Sequence, residues 1–520
     1  MIRFLIYISL TLLAFSLKAQ ELVHLQEGEE HPVPLMGYNA HMAHAPSWDD
    51  ENFTDALKKL HPQILRYPGG SNSFYWDWKT GWTKSYEEFL PYLHAANFKF
   101  DNQSISSAEE LKNIAFQNRG KHFFNDLVNY NSKKITQNTI PNFKNGLVSC
   151  GAQGVFTLNL TSSSLQNEIQ MLRHADSLGV PISFVELGNE INSYKHLLLE
   201  HFFPNPKAYS DTCIRWAQGI WDNFPNAHIG IVGGNNNTRC KQWNEVLVGN
   251  LQKNFPEKKS QIHFILHHYS IFQKPSYDYN KANEYQQLMG YSKFDLLQKL
   301  KWTHWNTVSD YSTWVTEFNV IEKKPWELNN NWIHGLYVSN QINQFIKQTN
   351  ATLFNFHSIG ADVFSVFAVL DLMNNDERYL QPTATGIVTS LWNRLTADAE
   401  SFQNIELDNE LWEIYYPSKL TCDCPNNPRL PTTIEFNPIH AYRSSKEGKQ
   451  KLLLTNTSEK SIQINLSEIG ISNGFMEQYS GNLTHDVRGE LNQGDDWKVT
   501  KKAVHNKIEI PPYSITLIEE

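Results

Sequence analysis

The stretch Ile182-Ser183-Phe184-Val185-Glu186-Leu187-Gly188-Asn189-Glu190 is an apolar, strand-like run that ends abruptly in Gly-Asn-Glu. Far downstream, Ser312-Thr313-Trp314-Val315-Thr316-Glu317-Phe318-Asn319-Val320 repeats this design with a single glutamate. Val, Trp and Thr favour β-strands, and the change to Gly and Asn marks a strand end. The sequence therefore predicts two strands that each present a glutamate near the carboxyl end.

Six similar runs lie elsewhere in the first 360 residues, and helix-forming segments follow most of them. The predicted strands cover residues 34–40, 63–70, 154–160, 182–190, 228–234, 262–269, 312–320 and 351–357. The predicted helices cover residues 55–60, 86–96, 165–178, 205–223, 331–347 and 383–394. Eight units of strand and helix are typical of a (β/α)8 TIM barrel with parallel strands, which is a fold of the α/β class. Catalytic groups of that fold lie where strands end, as both glutamates do.

The chain divides into two predicted domains after a leader. Residues 20–397 are assigned to the barrel, in which the Asn-, Ser- and Lys-rich segment 99–145 forms an elaborated crossing between the second and third strands. Residues 398–520 contain short alternating runs separated by turn residues, which predict an antiparallel β-sandwich.

The first 19 residues have the pattern of a secretory signal peptide. Arg3 precedes an almost uninterrupted apolar run over residues 4–17, which is too short for a membrane-spanning helix. A secreted or periplasmic protein without membrane insertion is expected. Loss of Arg3 and Lys18 with the leader would lower the formal charge from −9 to −11, and such a surface repels nucleic acid, which is therefore not an expected partner.

The cysteines predict neither a disulfide framework nor a zinc site. They are few, odd in number and without zinc-ligand spacing: Cys150, Cys213, Cys240, Cys422 and Cys424. The sequence leaves open whether one or two disulfide bridges form. Residues 374–377 have the residue types of a calcium loop but no repeat of oxygen ligands, so they are interpreted as a solvated loop. No metal or cofactor is expected.

Several side chains are predicted to meet at one end of the barrel. Glu186 and Glu190 share one side of the fourth strand because side chains alternate along a strand. A buried Glu186 needs a partner, and Arg66 on the second strand is the candidate. Strand alternation therefore places five groups around one opening: Arg66, Glu190, His267, Tyr269 and Glu317.

Two strand-end glutamates are the minimal set for glycoside hydrolysis. One carboxyl group protonates the leaving oxygen, while the other attacks the sugar or activates water. The sequence is therefore interpreted as that of a glycosidase with a carbohydrate substrate.

The motifs resemble those of the retaining clan A glycoside hydrolases. The resemblance rests on Asn189-Glu190 after an apolar strand, His267-x-Tyr269 on the sixth strand, and Glu317 at a strand end. Arg66-x-Pro68-Gly69-Gly70, followed by Tyr75-Trp76, and Glu317-Phe318-Asn319-Val320 look most like the α-L-arabinofuranosidase family. Heparanase-like β-glucuronidases, agarases and xylosidases are similar over the same barrel.

The resemblance implies a retaining hydrolase of plant or algal poly- or oligosaccharides. It implies that Glu190 is the acid/base and Glu317 the nucleophile, and that Asn189 donates to the sugar hydroxyl next to the anomeric carbon. Cations and hydroxyl donors are then expected to lower the pKa of Glu317, whereas Glu190 is expected in a drier setting that retains a proton. The residues expected to bind substrate are Asn39, Arg66, Trp76, Asn189, His267 and Tyr269.

Each of these residues also has a purely structural interpretation. His267 and Tyr269 could be satisfied core groups, and Arg66 could serve only the buried charge of Glu186. Trp76 is either a platform for sugar rings or ordinary loop packing.

Two rival functions remain open at this stage. One is a clan A hydrolase directed at uronic acids or acting within chains, which extra basic residues in the pocket or a long open cleft would indicate. The other is a barrel that binds glycans without cleaving them.

Overall fold

The structure is a computed structural model that describes most of the chain. It covers residues 21–42, 45–120, 122–132, 138–193, 197–234, 240, 242–272, 281–322, 331–360, 380–416, 432–487 and 494–520. The predicted signal peptide, the loop at 374–377, Cys422 and Cys424 lie outside these residues. Cys150, Cys213 and Cys240 are free. Within the described ranges, no helix has the length and apolar character needed to cross a membrane.

Eight parallel strands close into a barrel, with the last strand paired to the first. In order around the barrel they are Leu35–Asn39, Ile64–Tyr67, Gln153–Thr157, Phe184–Glu186, His228–Val232, Ile262–Phe272, Ser312–Glu322 and Ala351–Phe356. All eight coincide with predicted runs. The predicted (β/α)8 TIM barrel is confirmed.

Helices cover the outside of the barrel, and six of them match the predicted segments. The described helices are Glu51–Lys58, Tyr86–Ala95, Ala108–Gln117, His122–Ser132, Ile140–Cys150, Leu165–Ser177, Leu197–Phe202, Pro206–Trp221, Trp243–Asn254, Ala282–Trp302, Trp332–Gln348 and Ala384–Thr396.

The crossing predicted over residues 99–145 is more regular than its composition suggests. It contains a short hairpin, Lys99–Phe100 with Gln103–Ser104, and three helices. Its polar residues cap helices: the Ser107 side chain accepts from the Glu110 backbone N–H, and Thr139 forms a capping box with Asn142. The segment does connect the second and third strands, as predicted. Its helices were not predicted because residue types that favour loops also favour helix starts.

The helix Ala282–Trp302 is absent from the sequence prediction because it is buried on more than one side. The hairpin of Trp412–Tyr416 and Thr432–Phe436 covers it, and Phe294 stacks on Tyr416 with ring centroids 4.3 Å apart. A helix covered on both sides loses the apolar periodicity that marks an ordinary surface helix.

The β-sandwich is also confirmed. Its larger sheet has the strand order Leu25–Glu30, Ser401–Leu407, Ile439–Lys446, Lys449–Asn456, Ser514–Glu519, Asn473–Gly481 and Trp497–His505, all antiparallel. The smaller sheet has the order Glu21–Val23, Ile462–Asn465 and Lys507–Ile510. Between these sheets lies a second apolar core.

The N-terminal end of the barrel domain differs from the predicted bounds of 20–397. Glu21–Val23 pairs in parallel with Ile462–Asn465, and Leu25–Glu30 pairs with Ser401–Leu407, so both segments belong to the sandwich. The second segment, Leu-Gln-Glu-Gly-Glu-Glu, has a single apolar residue. Its alternation is too weak for sequence analysis to identify it as a strand.

Tryptophan residues join the sandwich to the barrel. Trp332 opens a barrel helix, donates its indole N–H to the Tyr513 carbonyl at 2.5 Å, and meets the Trp497 ring edge to face at 4.8 Å. Arg394, near the end of the last barrel helix, pairs with Glu477 and Glu519 of the sandwich. Apolar and ionic contacts therefore both hold the two domains together.

Leu25 and Leu22 provide a matched test of the N-terminal strands. Leu25 is 4% exposed in the sandwich core and Leu22 is 46% exposed. Leu25→Ala should lower the free energy of unfolding by about 2 to 5 kcal/mol, because it leaves a cavity, whereas Leu22→Ala should change it by less than about 0.5 kcal/mol. Urea unfolding measures both, and equal effects would contradict the placement of this segment.

Candidate active site

The fourth strand places two glutamates at different depths. The strand itself ends at Glu186, and a turn follows in which Gly188 and Glu190 have positive φ values of 85° and 42°. The Ser193 backbone N–H donates to the Glu190 carbonyl at 2.8 Å and closes the turn. Glu186 is therefore buried inside the barrel, while the turn carries Glu190 to the mouth.

Glu317 lies within the seventh strand, directly beside the sixth. His267 pairs with Glu317 in the register of these strands, and Tyr269 pairs with Asn319. The Tyr269 hydroxyl donates to Glu317 Oε2 at 2.7 Å. Parallel neighbours thus place the hydroxyl against the carboxylate.

Arg66 joins three elements beneath the mouth. Its Nε donates to Glu186 Oε2 at 2.7 Å and its Nη1 to Glu317 Oε1 at 2.8 Å. Its Nη2 donates to Asn189 Oδ1 at 2.8 Å. Arg66 is fully buried. It neutralises the buried charge of Glu186 and also binds Glu317 of the candidate site, so both interpretations of this residue apply.

Strong donors hold Glu317 ionised. Burial alone would raise its pKa, but the positive groups around it and the Tyr269 hydrogen bond hold the pKa well below its usual range. The pKa of the neighbouring His357 is itself lowered by burial, whereas the guanidinium of Arg66 keeps its positive charge near neutral pH. Burial, followed by the charge of Glu317, raises the pKa of Tyr269, which therefore remains a proton donor.

His267 lies between Glu190 and Glu317. Its Nδ1 is 3.4 Å from Glu190 Oε1 and 3.7 Å from Glu317 Oε2, and its Nε2 is 3.1 Å from the Thr316 hydroxyl. One carboxylate oxygen of each glutamate and a ring nitrogen of His267 all lie within 4.8 Å of one another. The two acids therefore lie close together at the mouth of the barrel.

The prediction that Glu190 occupies the drier setting is wrong. Its side chain is 24% exposed, whereas that of Glu317 is 7% exposed. Glu190 stands on a turn beyond the strand end, and Glu317 is part of a strand flanked by two neighbours, so their burial follows from their positions in the backbone.

Trp76 is not the exposed platform that was expected. Its side chain is 1% exposed and packs edge to face against Tyr67, with ring centroids 5.3 Å apart. Its backbone carbonyl accepts a hydrogen bond from Asn159. Loop packing, the alternative interpretation, describes Trp76 correctly.

The sequence analysis missed His357 and Lys299. His357 follows the eighth strand, and its Nδ1 lies 2.9 Å from Asn39 Nδ2, which also donates to Glu317 Oε1 at 3.3 Å. The position of His357 at the end of a predicted strand was a usable signal. Lys299 is buried and donates to the His267 carbonyl, and burial lowers its pKa to about 8. It belongs to a helix that the sequence did not reveal.

A glycine turn makes room for Asn39. Gly69 follows the second strand with a φ of 66°, and a Cβ on it would lie 2.1 Å from Asn39 Oδ1. Both the backbone angle and the close approach require glycine here.

The cluster of Glu190, His267 and Glu317 has ligand types that could also hold a metal ion. However, Arg66 and Tyr269 already bind the two oxygens of Glu317, at 2.8 and 2.7 Å. A fixed positive charge at that distance repels a second cation. The arrangement therefore favours acid and base chemistry.

Neither a protein-family model nor a curated protein matches the sequence. Solved structures do match. The α-L-arabinofuranosidase of Thermotoga maritima is 15% identical with a TM-score of 0.59, over 96% of this chain and 99% of that chain. This chain has the same fold. So do the 4-O-α-L-rhamnosyl-β-D-glucuronidase of Fusarium oxysporum, at 11% identity, and the family 44 endoglucanase of Clostridium thermocellum, at 10%, each with a TM-score of 0.53 over 96% of this chain and 100% of theirs.

The ionised state of Glu317 predicts how stability depends on pH. Since its pKa is lowered from 4.5 in the folded protein, ionised Glu317 stabilises the fold above about pH 4.5, and this contribution is lost as the pH falls further. The difference in unfolding free energy between the wild type and Glu317→Gln should shift against the wild type by about 1 kcal/mol between pH 4.5 and 3.5.

Urea unfolding at the two pH values measures this shift. Glu413→Gln, which changes an exposed carboxyl on Trp412–Tyr416, is the control and should show no such shift. A pH-independent difference for Glu317→Gln would contradict the lowered pKa.

Proposed function

We propose that this protein is a retaining glycoside hydrolase. The observation that carries the proposal is the pairing of Glu190 and Glu317, with one oxygen of each within 4.8 Å. Retaining enzymes place their two carboxyl groups about 5 to 5.5 Å apart, whereas inverting enzymes need roughly 6.5 to 9.5 Å to admit a water molecule. The fold shared with known glycosidases supports the same class of reaction.

In the first step, a Glu317 oxygen attacks the anomeric carbon while the bond from that carbon to the leaving oxygen breaks. Glu190 gives its proton to the leaving oxygen. In the second step, Glu190 takes a proton from water, whose oxygen attacks the anomeric carbon and releases Glu317. Arg66 and Tyr269 favour the carboxylate form of Glu317, which both starts and ends the cycle.

Asn189 and His267 have supporting roles. Arg66 Nη2 binds Asn189 Oδ1, which fixes the amide so that its NH2 group donates to the sugar hydroxyl beside the anomeric carbon. His267 contacts Glu190 and Thr316 and orients the acid/base. Asn39, bound to Glu317 and His357, completes the wall on the side of the first strand.

The proposed substrates are plant or algal poly- and oligosaccharides, with α-L-arabinofuranosides first among them. The motifs at the second, fourth and seventh strands support this choice, as does the fold shared with arabinofuranosidases. A panel of chromogenic glycosides that includes β-glucuronides and β-xylosides tests the choice. Cleavage of a glucuronide instead would favour the uronic-acid rival.

The two glutamates should respond differently to substitution. Glu317→Gln should lower kcat by at least about 1,000-fold on every glycoside, because the nucleophile is lost. Glu190→Gln should be slow but partly rescued by azide on a substrate with a good leaving group, since azide attacks the glycosyl enzyme without needing a base. Azide product analysis and initial rates measure both effects.

Circular dichroism of both variants controls for folding. NMR of the first-formed sugar distinguishes the two stereochemical routes, and an inverted product would contradict the role of Glu317 as nucleophile. A wild type that cleaves no glycoside would favour the glycan-binding rival.

We also propose that the protein is exported. The apolar run after Arg3 supports cleavage near residue 19. Expression of the full chain in a bacterium, followed by mass spectrometry of the intact protein outside the cytosol, should give a chain that begins at or near Gln20. Retention of the full-length chain in the cytosol would contradict export.

A further inference from the structure

A second cleft lies between the barrel and the sandwich, and neither Glu190 nor Glu317 lines it. Its volume is about 960 Å³, within the range of roughly 300 to 1,000 Å³ that small-molecule sites occupy. Its walls come from the start of the helix Ala282–Trp302, the strand Trp412–Tyr416 and turns of the sandwich.

Three aromatic residues form one wall of this cleft. The Tyr285 ring meets those of Trp412 and Tyr513 edge to face, at centroid distances of 6.1 and 5.4 Å. The Tyr285 hydroxyl donates to the Thr457 carbonyl at 2.6 Å, which fixes the central ring. Trp412 and Tyr513 are both partly exposed. Rigid, partly exposed rings suit the C–H face of a sugar.

Asn409 lines the cleft with a side chain that hydrogen bonds hold in place. Its Nδ2 donates to the Glu410 carbonyl at 3.0 Å and to Asn437 Oδ1 at 2.8 Å. Its buried Oδ1 has no hydrogen-bond partner in the part of the chain that the structure describes. Because this oxygen is enclosed by protein atoms, Asn409 is a fixed part of the cleft wall, and the aromatic rings supply the surface that a ligand contacts.

The charge of the cleft disfavours an anionic ligand. Four carboxylates and two ammonium groups line it: Glu410, Glu459, Asp495, Asp496, Lys460 and Lys498. Lys460 is already paired with Glu410 at 2.9 Å. The excess of negative charge disfavours uronic acids and sulfated sugars.

The position of the cleft relates it to the two glutamates. Helices that follow barrel strands begin on the face where those strands end, and Tyr285 lies in the first turn of such a helix. We propose that the cleft is a second carbohydrate-binding site, which holds a neutral segment of a polysaccharide on the same face as Glu190 and Glu317. The choice of a carbohydrate ligand rests on the proposed function.

Trp412→Ala tests the site, and Tyr415→Ala is the matched control. Tyr415 lies on the same strand but is 55% exposed and does not line the cleft. Both substitutions are made in the Glu317→Gln protein so that the polymer is not cut. In native gels that contain soluble neutral arabinoxylan or arabinan, Trp412→Ala should weaken the retardation of that protein about threefold to tenfold. Tyr415→Ala should not change it.

Lys498→Ala provides a second variant if Trp412→Ala does not fold, because the Lys498 side chain is exposed. It removes a hydroxyl-binding donor from the cleft and should also weaken retardation. Equal retardation of the cleft variants and Tyr415→Ala, or no retardation of the parent protein by either polymer, would overturn the proposal.

Aryl glycosides separate this inference from the proposed function. Trp412→Ala with an intact Glu317 should cleave a small aryl glycoside at the wild-type rate, and a loss there would contradict a separate site. Trp412-dependent retardation in the Glu317→Gln protein, together with a wild type that cleaves no glycoside, would support the cleft while overturning the hydrolase. Hydrolysis by the wild type without Trp412-dependent retardation would support the hydrolase while overturning the cleft.

Discussion

The site depends on one buried cation, the guanidinium of Arg66. Its three nitrogens donate to Glu186, Glu317 and Asn189 at 2.7 to 2.8 Å, and these acceptors come from the fourth strand, the seventh strand and the turn below the mouth. Only the planar fork of arginine reaches three acceptors in this way, because a lysine ammonium is a single point charge. Breaking a buried ion pair costs roughly 3 to 5 kcal/mol. The bonds of Arg66 that stabilise the fold are therefore the same bonds that keep Glu317 ionised.

The chemical difference between the two glutamates follows from where the backbone holds them. Glu317 is inside a strand, where Arg66 on one oxygen and Tyr269 on the other favour the carboxylate. Glu190 stands on a turn at the mouth, where the His267 ring contacts its carboxylate. Glu317 is therefore fixed and ionised, and Glu190 stands where the proposed reaction needs a group that exchanges protons with the leaving group and with water. Identical side chains acquire distinct roles from their surroundings.

Much of this was readable from the sequence, because parallel strands leave a simple signal. Short runs rich in apolar residues marked all eight barrel strands. The need of a buried Glu186 for a partner correctly pointed to Arg66, and alternation correctly brought Tyr269 and Glu317 to one opening. Other features depend on tertiary contacts that leave no local pattern. The helix that carries Lys299 is covered on two sides, the strand at Leu25 has one apolar residue, and the burial of Trp76 depends on Tyr67. The prediction of a drier setting for Glu190 was wrong because the fourth strand ends at Glu186, four residues before it.

The N-terminal strands also place a constraint on the order of assembly. The Leu25 backbone N–H donates to Glu468 Oε2, 443 residues further along the chain, so an early segment joins a domain whose other strands are made much later. The barrel, whose neighbouring strands are mostly consecutive in sequence, is complete long before that. The barrel can therefore close from neighbouring units of the sequence, whereas the sandwich can form only after segments more than 370 residues apart have met.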